Sequence, residues 1–259
     1  MQTRAFDEMA ATYDTAFTET AVGRALRDVV WSRFDALFGP SERILELGCG
    51  TGEDAVRLAS TGRSVVATDA SPRMIQIAGH KSASHGLTSR IELHCAPMEQ
   101  LGSLNGGERF DGVLSNFGAI NCVRDLPGLI ADIAQRLRPG GGLLWVLMGR
   151  HVPWEWAWYL ARGQWRRAWR RLGADGTEWR GMTIRYPTPG ALKSLLEPQF
   201  SVQRIAPLGA ILPPSYASSG LQRSPRILGT LVRAERLAQR SSLLARLSDH
   251  YIIEARRAA

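Results

Sequence analysis

The chain has 259 residues, 44% of them hydrophobic, and its 32 lysines and arginines outnumber 24 acids to leave a formal charge of +8. That length supports one large core with additions, no apolar run nears the roughly 20 residues of a membrane span, and the first residues lack a secretory leader's apolar core. Cys49, Cys95 and Cys122 have no metal-like spacing, so reduced thiols in a cytoplasmic setting are expected, with Cys122 read as a small buried filler.

In chain order, residues 1–40 read as a helical cap. Phe6-Asp-Glu-Met-Ala-Ala-Thr-Tyr-Asp14 is followed by an amphipathic run from Val22 to Phe38, which Gly39-Pro40 stops. The next stretch, Arg43-Ile-Leu-Glu-Leu-Gly-Cys-Gly-Thr-Gly-Glu-Asp-Ala55, predicts a short strand, a glycine turn and the start of a helix. Glu46 ends the strand. A second strand over 64–68 ends at Asp69, where an acid meets ribose hydroxyls in nucleotide-binding α/β folds. A dinucleotide site wants G-x-G-x-x-G with pyrophosphate at the helix N-terminus. Here Glu53 stands in place of the third glycine, with Asp54 after it, and two carboxylates at that mouth repel a pyrophosphate. S-adenosylmethionine carries no phosphate but an ammonium and a sulfonium, so the electrostatics select it over NAD.

Further strands are expected near 91–95, 111–115 and 142–148, with helices near 53–60, 72–79 and 126–137. Ser71-Pro72 supplies an N-cap and a first-position proline. Four segments now resemble class I S-adenosylmethionine-dependent methyltransferases in that family's order: Leu45-Glu-Leu-Gly-Cys-Gly-Thr-Gly52, Asp69, Phe110-Asp-Gly-Val-Leu-Ser-Asn-Phe117 and Leu137-Arg-Pro-Gly-Gly-Gly-Leu-Leu-Trp-Val146. They cover roughly residues 43 to 148, a domain's worth. The pairs Phe6-Asp7 and Tyr13-Asp14 resemble the start of the ubiquinone/menaquinone type of small-molecule methyltransferase. The resemblance implies an α/β, Rossmann-like seven-stranded sheet whose last strand is antiparallel, helices on both faces, and a cap folded over cofactor and substrate.

It also implies site residues. The glycine turn (Gly48, Cys49, Gly50 and Gly52) with Glu46 would meet the cofactor, Asp69 with neighbouring Ala70 its ribose, and Tyr13 its methionyl carboxylate. Relatives usually carry an acid two residues before Glu99 for the adenine amino group. Pro97 stands there, leaving adenine to Met98 and Glu99. After the fourth strand, Ser115 and Asn116 would border the methionyl ammonium, and Asn116 and Asn121 would face the acceptor; the bland alternative is that these amides satisfy loop backbone.

Residues 151–182 are the least ordinary part. Five of the eight tryptophans lie between His151 and Leu172. At about 100° per residue, Trp154, Trp158, Ala161, Trp165, Trp169 and Leu172 share one stripe, opposite Arg166, Arg167, Arg170 and Arg171. Gly163 divides the run into two short helices. The stripe packs on the core, covers an apolar acceptor as a lid, or lies at a membrane surface on the inner face with 154–171 in contact. Beyond it, 183–259 supplies a sixth strand at Phe200–Ile205, an arginine-rich amphipathic helix over 225–247 and the seventh strand at His250–Ala255. We expect one elaborated domain over 1–259: cap 1–40, cofactor core 41–150, insertion 151–182 and the C-terminal remainder.

Methyl transfer needs positioning above all, and a base only where the acceptor must lose a proton. His151, Asn121 and Tyr216 are the acceptor-side candidates. The expected partner is a small apolar or aromatic molecule. No nucleic acid is expected, because the excess arginine gathers in 150–180 and 223–257 without a basic stripe interleaved with aromatics on the core. Two other readings remain: a non-methylating member of the fold, and a membrane-surface or protein-interaction module.

Overall fold

The computed structural model describes residues 3–103, 109–214 and 224–258. Helix α1 (Thr3–Tyr13) runs into a π-helical turn (Asp14–Thr18) and then α2 (Ala21–Leu37), whose N-cap Thr20 accepts a hydrogen bond from the Gly23 amide at 2.9 Å. Strand β1 (Arg43–Leu47), α3 (Glu53–Ser60), β2 (Ser64–Asp69), α4 (Pro72–Ser84), β3 (Ile91–Cys95), β4 (Phe110–Ser115), α5 (Leu126–Arg136) and β5 (Leu137–Met148) then alternate as parallel crossovers require. Next come α6 (Pro153–Leu160), α7 (Trp165–Ala168), the hairpin β6 (Thr177–Trp179) and β7 (Met182–Ile184), α8 (Pro189–Leu196), β8 (Phe200–Leu208), α9 (Pro225–Ala238) and β9 (His250–Arg257).

Seven strands form one sheet in the order β3-β2-β1-β4-β5-β9-β8. The last strand, β9, is antiparallel to both neighbours and parts β5 from β8. Period-two alternation gives each strand two apolar faces. Leu143 and Trp145 pack with Leu129 and Ile133 of α5 and Leu192 of α8 on one side. Leu144 and Val146 pack with Val30 and Phe34 of α2 and Leu58 of α3 on the other. A fully buried side chain such as Phe34 contributes about 1.5–3 kcal/mol relative to exposure, which fixes the cap helix α2 to the sheet. Among the described residues no helix is long and apolar enough to cross a membrane.

Four expectations need correction. Strand β5 begins at Leu137, because Leu137 pairs with Phe110 ahead of an irregularity and the Gly112–Gly142 pair. The C-terminal helix stops at Ala238, and a 3₁₀ turn (Leu244–Leu247) follows. The β6–β7 hairpin was not anticipated, since three-residue strands are too short to show a period. The insertion is two short helices, and its tryptophan stripe is not packed on the core: Trp154, Trp165 and Trp169 are 40%, 60% and 42% exposed, while of the arginines expected opposite, Arg166 and Arg167 are exposed and Arg171 is buried. Glu155, only 1% exposed, is the reason. A carboxylate buried on α6 requires cations, so Arg170 and Arg171 turn inward to it at 2.8 and 2.6 Å.

Candidate functional site

The carboxyl ends of the parallel strands open onto one cavity of about 450 Å³. Its floor is the glycine turn between β1 and α3. Gly50 adopts φ +53°, and a Cβ built there would meet nothing within 4 Å, so the turn leaves room for a ligand against bare backbone. Gly52 serves packing instead: a Cβ would lie 3.1 Å from Ala78 Cα of α4. Asp69, at the end of β2, accepts hydrogen bonds from the Gly50 amide at 2.9 Å and the Ser71 amide at 2.8 Å, one on each oxygen. Each oxygen keeps a second lone pair for a diol. Burial raises its pKa against those two bonds. Met98 and Glu99 line the neighbouring wall with Pro97.

A buried polar cluster closes the far side of this compartment. Asp54 accepts from Arg27 at 2.8 Å, from the Trp31 indole at 2.6 Å and from Asn116 at 2.8 Å. Glu46 lies buried in β1 with Oε2 lacking a hydrogen-bond partner. Burial, and then the Asp54 charge, push its pKa well above the ordinary carboxyl value. The cap is tied over this end. Asp7 of α1 accepts from the Ser71 hydroxyl at 2.5 Å and the Arg73 amide at 3.2 Å; Asp14 accepts from Thr51 at 2.7 Å and Lys81 at 2.9 Å. Tyr13, between them, lines the cavity, and burial raises its pKa.

The cavity continues into an apolar compartment. Phe6, Met9 and Phe17 of the cap face Trp179, Met182 and Ile184 of the hairpin, with the Phe6 and Trp179 rings 5.8 Å apart. Phe117, held at φ +48°, packs edge-on against Phe17 at 4.7 Å and against His250 at 5.8 Å. Arg170 and Arg171 reach the same compartment from the insertion. Arg171 pairs with Glu155 at 2.6 Å and with Asp249 at 2.9 Å, and Asp249 lies 3.2 Å from His250 Nδ1. Burial works to raise the Asp249 pKa, but His250 and Arg171 outweigh it and hold the carboxyl well below its usual range.

Residues 44–141 match the family profile described as a methyltransferase domain. The chain is 34% identical over 140 residues to the demethylmenaquinone methyltransferase of Clavibacter sepedonicus, covering 54% of each protein. It is 28% identical over 156 residues to the tRNA 5-carboxymethoxyuridine methyltransferase of Escherichia coli strain K12, 58% of this chain and 59% of that one. Over that domain, this chain is similar to the class I S-adenosylmethionine-dependent methyltransferases. It spans little more than half the length of these curated relatives. The methyltransferase fold extends further. The solved structure of Burkholderia thailandensis 1,6-didemethyltoxoflavin-N1-methyltransferase, holding that compound and S-adenosylhomocysteine, matches with a TM-score of 0.62 at 16% identity, over 100% of this chain and 88% of that one.

Of the residues expected at the methyltransferase site, Tyr13, Gly48, Gly50, Asp69, Ala70, Met98, Glu99 and Asn116 line the cavity. Glu46, Cys49, Gly52 and Ser115 lie behind its wall; the Ser115 hydroxyl donates to the Leu47 carbonyl at 2.8 Å, and Cys49 belongs to the apolar core. Asn121 does not face an acceptor. Its amide donates to the Met148 and Arg185 carbonyls at 3.3 and 2.5 Å and accepts from the Met148 amide at 2.8 Å, tying β5 to the residue after β7. His151 packs against the Trp156 ring, centroids 6.3 Å apart, outside the cavity. Tyr216 lies outside the described residues. Cys122 does line the cavity, half-buried, with its thiol pushed up to about 11 by burial and then Glu99, so it stays protonated near neutrality.

His250 is the residue that sequence reasoning missed. The signal was available: an antiparallel last strand must begin at the edge where the parallel strands end. His250 is the first residue of β9 and pairs with Met148, the last of β5, which itself lines the cavity.

Proposed function

We propose that this protein transfers the methyl group of S-adenosylmethionine to a small, largely apolar or aromatic acceptor. The observation that carries the reading is the continuity of one cavity from Gly50 and Asp69 to the compartment of Phe6, Phe117 and Trp179. The residues present suit the cofactor. The open backbone at Gly50 would take its sugar–sulfur region, Asp69 the ribose diol, Met98 and Glu99 the adenine, and Tyr13 with Asn116 the methionyl end. Glu46, a buried acid with an unpartnered oxygen, suits an ammonium where no phosphate would be tolerated. Bound there, the sulfonium supplies an electrophilic methyl carbon. The protein's share is to hold the acceptor in line with it and to exclude water, through the cap, the hairpin and the insertion.

The relatives' acceptors differ in class, one name specifying tRNA and the other demethylmenaquinone. The aromatic lining and the cap tied across the cavity favour a compact apolar molecule over a polynucleotide. A second reading concerns the insertion: exposed Trp154, Trp165 and Trp169 beside Arg166 and Arg167 suit contact with an anionic lipid surface from which such an acceptor would come.

Calorimetry with S-adenosylhomocysteine tests the first step. Binding should be abolished by Gly50→Arg and weakened by Asp69→Ala; a wild-type protein that ignores the ligand would defeat the reading. Isotopically labelled cofactor incubated with separated RNA and small-molecule fractions tests the second, with label expected in the small molecules. Binding without any transfer would indicate a non-methylating member of the fold. Co-sedimentation with anionic vesicles, lost in Trp165→Ser with Arg166→Glu, tests the lipid contact, and no sedimentation of the wild type rejects it.

A further inference from the structure

Resting on the methyl-transfer reading, we propose that His250 is the general base of this site, oriented by Asp249, and that the acceptor presents an aromatic or enolic hydroxyl which it deprotonates. The topology makes His250 available: β9 starts at the ligand edge, and its first side chain is delivered beside Met148 and Phe117, both in the cavity wall. The ring is largely buried. Its Nδ1 faces Asp249 Oδ2 at 3.2 Å, off the line of an ideal bond but close enough to favour the proton on that nitrogen. Nε2 has no protein partner among the described residues, and it is the ring atom left for a ligand.

Asp249 is itself fixed. Arg171 donates to its side chain at 2.9 Å and to its backbone carbonyl at 3.2 Å, and Glu155 holds Arg171 from the opposite side at 2.6 Å. Glu155, Arg171, Asp249 and His250 thus form a buried chain running from the insertion to the cavity. Such a carboxylate fixes the tautomer of its histidine and stabilises the imidazolium when it forms. Asp249 is a positioning residue here, since it acts through the ring. Around that ring stand Asp249 just before its strand, Arg170 and Arg171 from the insertion, Tyr186 after β7 and, beyond Phe117, Arg27. Arg170 and Arg171 against Glu155 and Asp249 sum to no net charge. A new imidazolium therefore becomes the counter-ion of an oxyanion, whereas a cationic amine would find none.

The step balances. The acceptor hydroxyl gives its proton to Nε2, its oxygen forms a bond to the methyl carbon, and the carbon–sulfur bond breaks with its electron pair remaining on sulfur. A methyl ether, a neutral sulfide and an imidazolium result, and the imidazolium returns its proton to water. A hydroxyl of this kind is largely un-ionised near neutrality, so the base matters; a thiol or an activated carbon would need it less.

Two experiments decide it. With S-adenosylhomocysteine bound, nitrogen-15 spectra of histidine-labelled protein should show His250 protonated at Nδ1, and Asp249→Asn should erase that preference. A proton on Nε2 in the wild type overturns the proposal. Next, wild type, His250→Gln and Asp249→Asn are given methyl-carbon-13 cofactor and a small-molecule cell extract. His250→Gln should bind S-adenosylhomocysteine within about twofold of wild type yet form labelled product about 10²–10⁴-fold more slowly, the deficit narrowing as rising pH ionises the acceptor. Asp249→Asn should lose less and shift the pH profile. Product methyl resonances should be those of O–CH₃. An undiminished rate in His250→Gln, or label on carbon, nitrogen or sulfur, overturns the base assignment alone. No binding, or no labelled product from wild type, defeats the methyl-transfer reading beneath it.

Discussion

Glu46 is 2% exposed, with one carboxylate oxygen unpartnered, four residues from the ligand-facing Gly50 and within reach of the Asp54 charge. With its pKa raised well above the ordinary value by burial and Asp54, the empty protein holds it protonated over an interval where the unfolded chain would not. The folded state there binds the extra proton, so stability falls as pH rises from about 4.3 toward the raised value. An ammonium bound in the cavity, across the wall from Glu46, favours the carboxylate and drives that proton out. Binding of S-adenosylhomocysteine should therefore release up to about one proton and tighten with pH, measured as a buffer-dependent enthalpy in calorimetry. Glu46→Gln should remove the release and weaken binding while raising the neutral-pH urea midpoint of the unliganded protein. Unchanged proton release in that variant would put the ammonium elsewhere. Glu46 and Asp69 were legible in the sequence because each is an acid near the end of an apolar strand, Glu46 one residue before the last of β1; that Glu46 sits behind the wall was not, since strand periodicity gives the face of a residue and not its depth.

At the scale of elements, the insertion shows how one buried charge reorganises a helix. The pattern of Trp154, Trp158, Trp165 and Trp169 suits an inward stripe as well as a surface one, and it is Glu155 that faces in, with Arg171 following it. Hydrophobic periodicity assumes that apolar side chains decide the orientation. Here an ion-pair chain to Asp249, far along the sequence, decides it, and no local pattern encodes that partner. Glu155→Ala should leave Arg171 less well compensated and cost about 3 kcal/mol, a fall in Tm of roughly 6–12 °C, read by calorimetric melting. Trp165→Ser, at a 60% exposed position, should stay within about 0.5 kcal/mol of wild type. The reverse ranking would mean the stripe is the packed face in solution. The core elements were readable because parallel strands buried on both faces give continuous apolar runs, and α4 announces itself with Ser71, whose hydroxyl both caps the helix at 3.1 Å and donates to Asp7 of the cap. The hairpin that completes the acceptor compartment was not, its strands being set by Gly181 at φ +79° and by pairing over three residues.

Across the whole molecule, pieces remote in sequence enclose the cavity, and charge holds two of them in place. Asp14 ties the cap to Thr51 and Lys81, and Asp249 ties β9 to the insertion through Arg171. Both carboxyls have lowered pKa values: burial acts to raise each, and it is outweighed by Lys81 and Thr51 at Asp14 and by His250 and Arg171 at Asp249. Below the ordinary aspartate value near 3.9, the unfolded chain takes up protons that the folded protein refuses. The stabilisation these acids contribute is thus complete above about pH 4 and lost as pH falls toward their folded values. Urea midpoints measured from pH 5 down to pH 2 should drop steeply for the wild type. Asp14→Asn with Asp249→Asn should start lower, because two ion pairs are gone, and decline with a shallower slope. A parallel decline in the two proteins would show that acid sensitivity arises elsewhere. S-adenosylhomocysteine at about a hundred times the wild-type dissociation constant should lift the wild-type curve by about 2.7 kcal/mol where binding survives, and the same concentration should lift the double variant less, since its cap and insertion are no longer tied across the ligand.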